Sequence, residues 1–195
     1  MDYAILIRHG ESEANVLKIL DHDPDSKYHL TQIGHGQVEF TAERISKLKV
    51  DLILSSPLLR ARETAEILSK KINVPYKVEN GITEAGLGSF HGNYYASIPP
   101  LSRGKSGMET WESMRQRMLD VVEKREGTCV LVSHESPIKS LTSYFIGLLD
   151  EPSAAGIRIE TASVTILDIR KHRVLTVGSF YISDAVAEQM QKTKL

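Results

Sequence analysis

The sequence predicts an α/β domain built on a largely parallel sheet. Two observations predict it. Short apolar runs of strand length alternate along the chain with stretches whose apolar residues recur at helical spacing. That alternation is the pattern of strand–helix–strand crossovers, which bury both faces of a parallel sheet. The chain has 195 residues, which fits one domain spanning 1–195 with a sizeable core.

The elements follow in order. "YAILI" (3–7) is apolar throughout and too short for a helix, so it reads as a buried strand. Residues 31–48 carry Val38, Ala42, Ile45 and Leu48 on one helical stripe. "DLILS" (51–55) is a second buried strand, and 57–72 place Leu58, Ala61, Ala65, Leu68 and Ile72 on one helical face. "YKV" (76–78), after Pro75, is a short strand. Residues 109–124 align Trp111, Met114, Met118 and Val121, a spacing that assigns all four to the core. "TCVLV" (128–132) is a third clear strand, and 137–148 form a helix with Ile138, Leu141 and Phe145 inward. "TASVTILDI" and "RVLTVGSF" read as a hairpin across Lys171-His172, and a short helix is expected from about Ser183. Two long irregular stretches remain, 18–30 and 86–107. Loops of that length in a compact domain are commonly functional, and the second is read as a short cap.

Composition excludes several classes of function. A formal net charge of −1 provides no global field for nucleic acid or an anionic membrane. No run reaches transmembrane length, and the N-terminus lacks the pattern of a signal peptide, so a cytoplasmic protein is expected. The single cysteine, Cys129, rules out a disulfide within the chain and a cysteine-based zinc site. A homodimer is allowed, but nothing in the sequence derives one.

Chemistry concentrates where three strands end. The first ends in Arg8-His9-Gly10, the second runs into "SSPLLRA", and the third into "SHESPIK". Ser before Pro is a helix-start signal, so Ser56-Pro57 and Ser136-Pro137 are expected as N-cap and first helical residue. Parallel strands would then deliver Arg8, His9, Arg60 and His134 to one sheet edge, where ligands bind in such folds. Arg62 is an alternative to Arg60 as the inward cation. Helix N-termini add N–H groups and a positive dipole end. Guanidinium groups match phosphate oxygens in bidentate geometry. Cationic neighbours keep an imidazole neutral, and a neutral His9 has a lone pair that can attack phosphorus while Arg8, Arg60 and His134 hold the oxygens. The departing alkoxide needs a proton, for which Glu84 in "GITEAGLGSFHG" is the best candidate. Each residue alone is a weak signal; their placement after separate strands is the specific one.

"LIRHGESEAN", "SSPLLRARETAEIL", "ITEAGLGSFHG" and "VLVSHESPIKSL" together resemble the histidine phosphatase superfamily, also called phosphoglycerate mutase-like, over roughly residues 3–180. The resemblance implies a three-layer α/β/α sandwich with a mostly parallel central sheet. It implies His9 as the phosphorylated nucleophile, Arg8, Arg60 and His134 as phosphate ligands, Glu84 as general acid/base and Asn15 as a further phosphoryl ligand. It implies no metal and no cofactor. The chain departs from the family in two places. Glu135 follows the second histidine where the family usually has Gly. A carboxylate aimed into the pocket would repel phosphate, so Glu135 is expected to point away, the alternative being that it meets a cationic or hydroxyl-bearing part of the substrate. The segment available for a cap, about 93–107, is shorter than in cofactor-dependent mutases. A mutase must exclude water between its half-reactions.

The expected activity is therefore hydrolysis of a small phosphomonoester, with 2,3-bisphosphoglycerate-dependent phosphoglycerate mutase as the alternative. A non-catalytic phosphate-binding module is a third reading. His22, His29 and His35 do not match a closed metal site and are assigned to solvated loop or surface. His91 is assigned to the surface. Tyr94 and Tyr95 either line the pocket mouth or cover it, and Arg103 and Lys105 either meet a second anionic group or are solvated.

Overall fold

The computed structural model describes residues 1–95, 103, 107–148 and 150–192. Its centre is a six-stranded sheet in the order β3-β2-β4-β1-β5-β6, formed by β1 (Tyr3–Arg8), β2 (Leu52–Ser55), β3 (Tyr76–Val78), β4 (Thr128–Ser133), β5 (Val164–Asp168) and β6 (Arg173–Ser179). Strands β3, β2, β4 and β1 run parallel. The hairpin of β5 and β6 completes the sheet, with β5 antiparallel to β1 and β6 antiparallel to β5 at the edge. The apolar runs of β1, β4 and β5 are buried along nearly their whole length, as central strands covered on both faces must be.

Alternation along these strands divides the core in two. Ile5 and Ile7 of β1, Ile53 of β2 and Val130 and Val132 of β4 face α2 (Gln32–Ile45), α3 (Leu59–Ile72) and α7 (Asp184–Lys192). Ala4, Leu6, Leu54, Cys129 and Leu131 face α4 (Trp111–Glu123) and α5 (Glu135–Ile146). The result is the expected three-layer α/β/α arrangement. Two short helices, α1 (Glu13–Leu17) and α6 (Glu151–Ala155), were not legible as periodic stripes because each has only five residues. Among the described residues, no helix is long and apolar enough to cross a membrane.

Two helix starts differ from expectation. Helix α3 begins at Leu59, with Leu58 as a cap that makes no side-chain bond; Ser56 and Pro57 lie before it. Helix α5 begins at Glu135 with His134 at the N-cap, which puts Ser136 and Pro137 inside the first turn. Proline costs no hydrogen bond there, because first-turn N–H groups have no intrahelical acceptor. The sheet sets the ends of β1 and β2: His9 N–H donates to Ser133 O at 3.0 Å and Ser56 N–H to Val132 O at 2.9 Å. The ladder thus continues one residue past each strand.

Candidate active site

The register that pairs Arg8 with Ser133, and Val132 with Ser55, puts three strand ends level. His9, Ser56 and His134 follow them directly, and the two imidazoles have centroids 5.1 Å apart. Gly10 allows the crossing of β1's exit with α2. A Cβ there would sit 2.7 Å from Gly34 O, and one on Gly34 would sit 2.1 Å from Glu11 O. Arg60 stands in the first turn of α3 and is only 5% exposed. Arg60, rather than Arg62, is the inward cation.

The hydrogen bonds determine tautomers. His9 Nδ1 is 2.7 Å from Gly10 O, an acceptor, so Nδ1 carries the proton. His9 Nε2 accepts Arg60 Nε–H at 3.0 Å and so presents a lone pair. His134 Nδ1 lies 3.3 Å from Arg60 Nη2, a donor, which leaves His134 Nε2–H to donate to Ser56 Oγ at 2.7 Å. Burial, then the charges of Arg60 and Arg8, hold the His9 pKa well below the ordinary histidine value. Burial and Arg60 do the same for His134. Both rings are therefore neutral near pH 7, as the sequence required of the nucleophile.

Asp21 was not anticipated. Its buried carboxylate takes Arg60 Nη1 at 2.8 Å, and its backbone oxygen takes Arg60 Nη2 at 3.0 Å. A long loop thus supplies the anion that holds the guanidinium against both histidines. An aspartate within "LDHDPD" gives no signal of this, because nothing in an aperiodic loop says which carboxylate turns inward.

His9, Arg8, Arg60, Asn15 and Glu84 line one cavity of about 410 Å³. Asn15 is fixed at α1 by a capping box with Ser12, and its Nδ2 donates to Tyr95 Oη at 3.3 Å. Tyr95 therefore belongs to the cavity wall, whereas Tyr94 is outside it. Glu84 accepts Ala85 N–H at 2.7 Å. Its segment is braced by Arg117, which donates to Gly81 O at 2.8 Å and Glu84 O at 3.3 Å while paired with Glu109 at 2.8 Å. Arg8 donates to Ile159 O at 2.7 Å, and its Nε is buried with no hydrogen-bond partner among the described residues.

Two expectations fail here. Glu135 does not point away; it lines the cavity, paired with Arg8 at 2.8 Å and Lys139 at 2.6 Å. Those two cations offset the repulsion that was expected to turn it outward. Trp111 is not core: it lies on the cavity wall under the guanidinium of Arg103, 5.5 Å from the ring centre. The first residue of α4 is too near the helix end to share the buried stripe of Met114 and Met118. Arg103 also lines the cavity and donates to Ser136 Oγ at 3.2 Å. Lys105 lies outside the described residues. The loop histidines are separate: His29 pairs with Glu63, His22 N–H donates to the exposed His91, and His35 is exposed on α2. Among the described residues no group of three His, Cys, Asp or Glu side chains is placed to hold a metal ion.

Residues 4–179 match the model of the histidine phosphatase superfamily (branch 1). A 2,3-bisphosphoglycerate-dependent phosphoglycerate mutase of Thermoplasma acidophilum is 34% identical, covering 97% of this chain and 98% of the relative. A putative phosphoserine phosphatase of Hydrogenobacter thermophilus is 26% identical over 82% of this chain and 86% of its own length. Among solved structures, a phosphoserine phosphatase of Entamoeba histolytica with phosphoserine superposes with a TM-score of 0.75 at 25% identity, covering 92% of this chain and 98% of that one. Bacillus stearothermophilus YhfR gives a TM-score of 0.77 at 22% identity, over 93% of this chain and 98% of that one.

Proposed function

Because the chain belongs to the histidine phosphatase superfamily, whose matched relatives are named as phosphatases and mutases, we propose that it hydrolyses a small phosphomonoester through a covalent phosphohistidine at His9. The observation that carries this reading is the neutral His9 ring, with Nδ1–H on Gly10 O and the Nε2 lone pair toward Arg60. An entering phosphoryl group takes over the Arg60 Nε–H that His9 Nε2 accepts in its absence, and this frees the lone pair. Nε2 then forms a bond to phosphorus as the ester P–O bond breaks. Arg8, Arg60 and Asn15, which line the cavity, carry the charge on the phosphoryl oxygens, and His134 joins them by turning its Nε2–H from Ser56 Oγ to a phosphoryl oxygen. The departing alkoxide takes the Glu84 carboxyl proton. Glu84, now a carboxylate, removes a proton from water as that water attacks phosphorus and releases His9.

His9→Ala should abolish turnover of p-nitrophenyl phosphate and the acid-labile phosphoenzyme; unchanged turnover overturns the covalent route. Glu84→Gln should slow alkyl phosphates more than aryl phosphates, because a phenolate leaves with less help from an acid. The short segment between Glu84 and α4 supports water as the acceptor. The Thermoplasma relative, matched over nearly its whole length, supports the second reading, in which a bound phosphoglycerate accepts the phosphoryl group. Incubation with 3-phosphoglycerate, with and without 2,3-bisphosphoglycerate, separates the two. Formation of 2-phosphoglycerate without free phosphate would replace hydrolysis by mutase activity.

A further inference from the structure

A carboxylate in a cavity that binds phosphate lowers affinity for every anion. Glu135 nonetheless stands in the cavity wall as the first residue of α5, directly after His134. Its Oε2 is held by Arg8 Nη1 and its Oε1 by Lys139 Nζ, which also donates to Ala155 O at 3.1 Å. An ionised carboxylate has about four lone-pair sites. The two cations engage one on each oxygen, so each oxygen keeps capacity to accept a further hydrogen bond. Arg8 and Lys139 offset its charge, and what Glu135 adds beyond them is acceptor capacity toward a part of the ligand that is a donor and not an anion.

Two features narrow that donor. Arg8 links Glu135 to the phosphate position: Nη1 grips the carboxylate, while the buried Nε has no hydrogen-bond partner among the described residues. A donor that reaches Glu135 therefore lies close to the phosphoester, within the span of one guanidinium. The carboxylate also already faces two cations, and Arg103 lines the same wall. An ammonium group would add a further positive charge, whereas a hydroxyl adds none. We propose that Glu135 is a specificity-determining residue that accepts a hydrogen bond from a hydroxyl on the leaving group, so that the cavity favours monophosphates of polyhydroxy compounds over those of simple alcohols. This rests on the cavity being a phosphomonoester site, whichever acceptor discharges His9.

The test is calorimetric titration with three phosphonates whose C–P bond this chemistry does not cleave: 3,4-dihydroxybutylphosphonate, butylphosphonate and 4-aminobutylphosphonate. The wild type should bind the diol at least about tenfold more tightly than the butyl compound, the weight of one charge-assisted hydrogen bond. In Glu135→Ala that ratio should fall to within about twofold, with butylphosphonate binding as well as before or better because a repelling charge has gone. Glu135→Gln, which keeps an acceptor oxygen and the side-chain volume, should retain part of the ratio. A wild-type ratio near one, an unchanged ratio in Glu135→Ala, or tightest binding of the amine overturns the proposal. Failure of all three phosphonates to bind overturns the phosphate cavity with it. A wild type that releases no phosphate from p-nitrophenyl phosphate yet keeps the diol preference overturns hydrolysis alone.

Discussion

The two buried imidazoles make a quantitative prediction for stability against pH. Each is neutral in the fold, with its pKa held well below the ordinary value by burial and by Arg60. In the unfolded chain each returns to about 6.5. The unfolded state therefore binds more protons as pH falls, so this stability is fully present above pH 6.5 and is lost below it. For a histidine that stays neutral in the fold, dropping from pH 7.5 to 5.5 costs about 1.4 kcal/mol, or about 2.8 kcal/mol for the pair. His22, lowered by burial, acts in the same sense. His29, raised by its hydrogen bond to Glu63, acts in the opposite sense: its contribution is present below pH 6.5 and is lost as pH rises through its raised value. Comparison with variants isolates the site from these and from the carboxylates. Urea unfolding at both pH values, in a buffer free of phosphate, should show the acid-induced loss shrinking by about 1.4 kcal/mol in His9→Asn and again in His134→Asn. If wild type and both variants lose stability equally, the histidines are not buried neutral and the assignment of His9 Nε2 as a free lone pair falls with them.

Three further outcomes follow from named contacts. Asp21→Asn leaves Arg60 a buried cation without its partner, and should cost roughly 3 kcal/mol in urea unfolding; a loss below about 1 kcal/mol would mean the pair contributes nothing beyond its hydrogen bonds. Arg117→Met removes the brace on Glu84 and should lower kcat for alkyl phosphates about tenfold, with less effect on aryl phosphates; equal losses on both would show that Arg117 does not act through Glu84. Gly34→Ala should cost about 3 kcal/mol, or roughly 6–12 °C in Tm, because its Cβ would meet Glu11 O. Gly36→Ala, two residues along α2 with nothing within 4 Å of its Cβ, should gain about 0.5–1 kcal/mol in the same melt.

The parts of the fold legible in the sequence were those that repeat over a few residues. "YAILI", "DLILS" and "TCVLV" became buried strands because an apolar run needs cover on both faces, whatever provides it. The stripes of α2 and α3 became core faces for the same reason. The helix starts were misplaced because Ser-Pro is a local preference. The sheet ladder running on to Ser56 delayed α3, while α5 began one residue before Ser136, directly after His134. The five-residue helices α1 and α6 contain too little periodicity to register.

For the site, the sequence by itself determined the chemical inventory: two histidines, Arg8, a second arginine at 60 or 62 and a glutamate, placed at strand ends and the turns that follow them. That much follows from residue type and from strand order, since parallel strands must present their carboxyl ends together. Tertiary structure alone decided how those groups are held. Asp21 reaches Arg60 across 39 residues and Ser56 reaches His134 across 78, pairings that depend on how loops and layers pack. The direction of Glu135 was decided in the same way. Its spacing to Lys139 is visible in the sequence as an i,i+4 pair, but only the arrival of Arg8 from β1 makes the cavity wall a place where that carboxylate can stand.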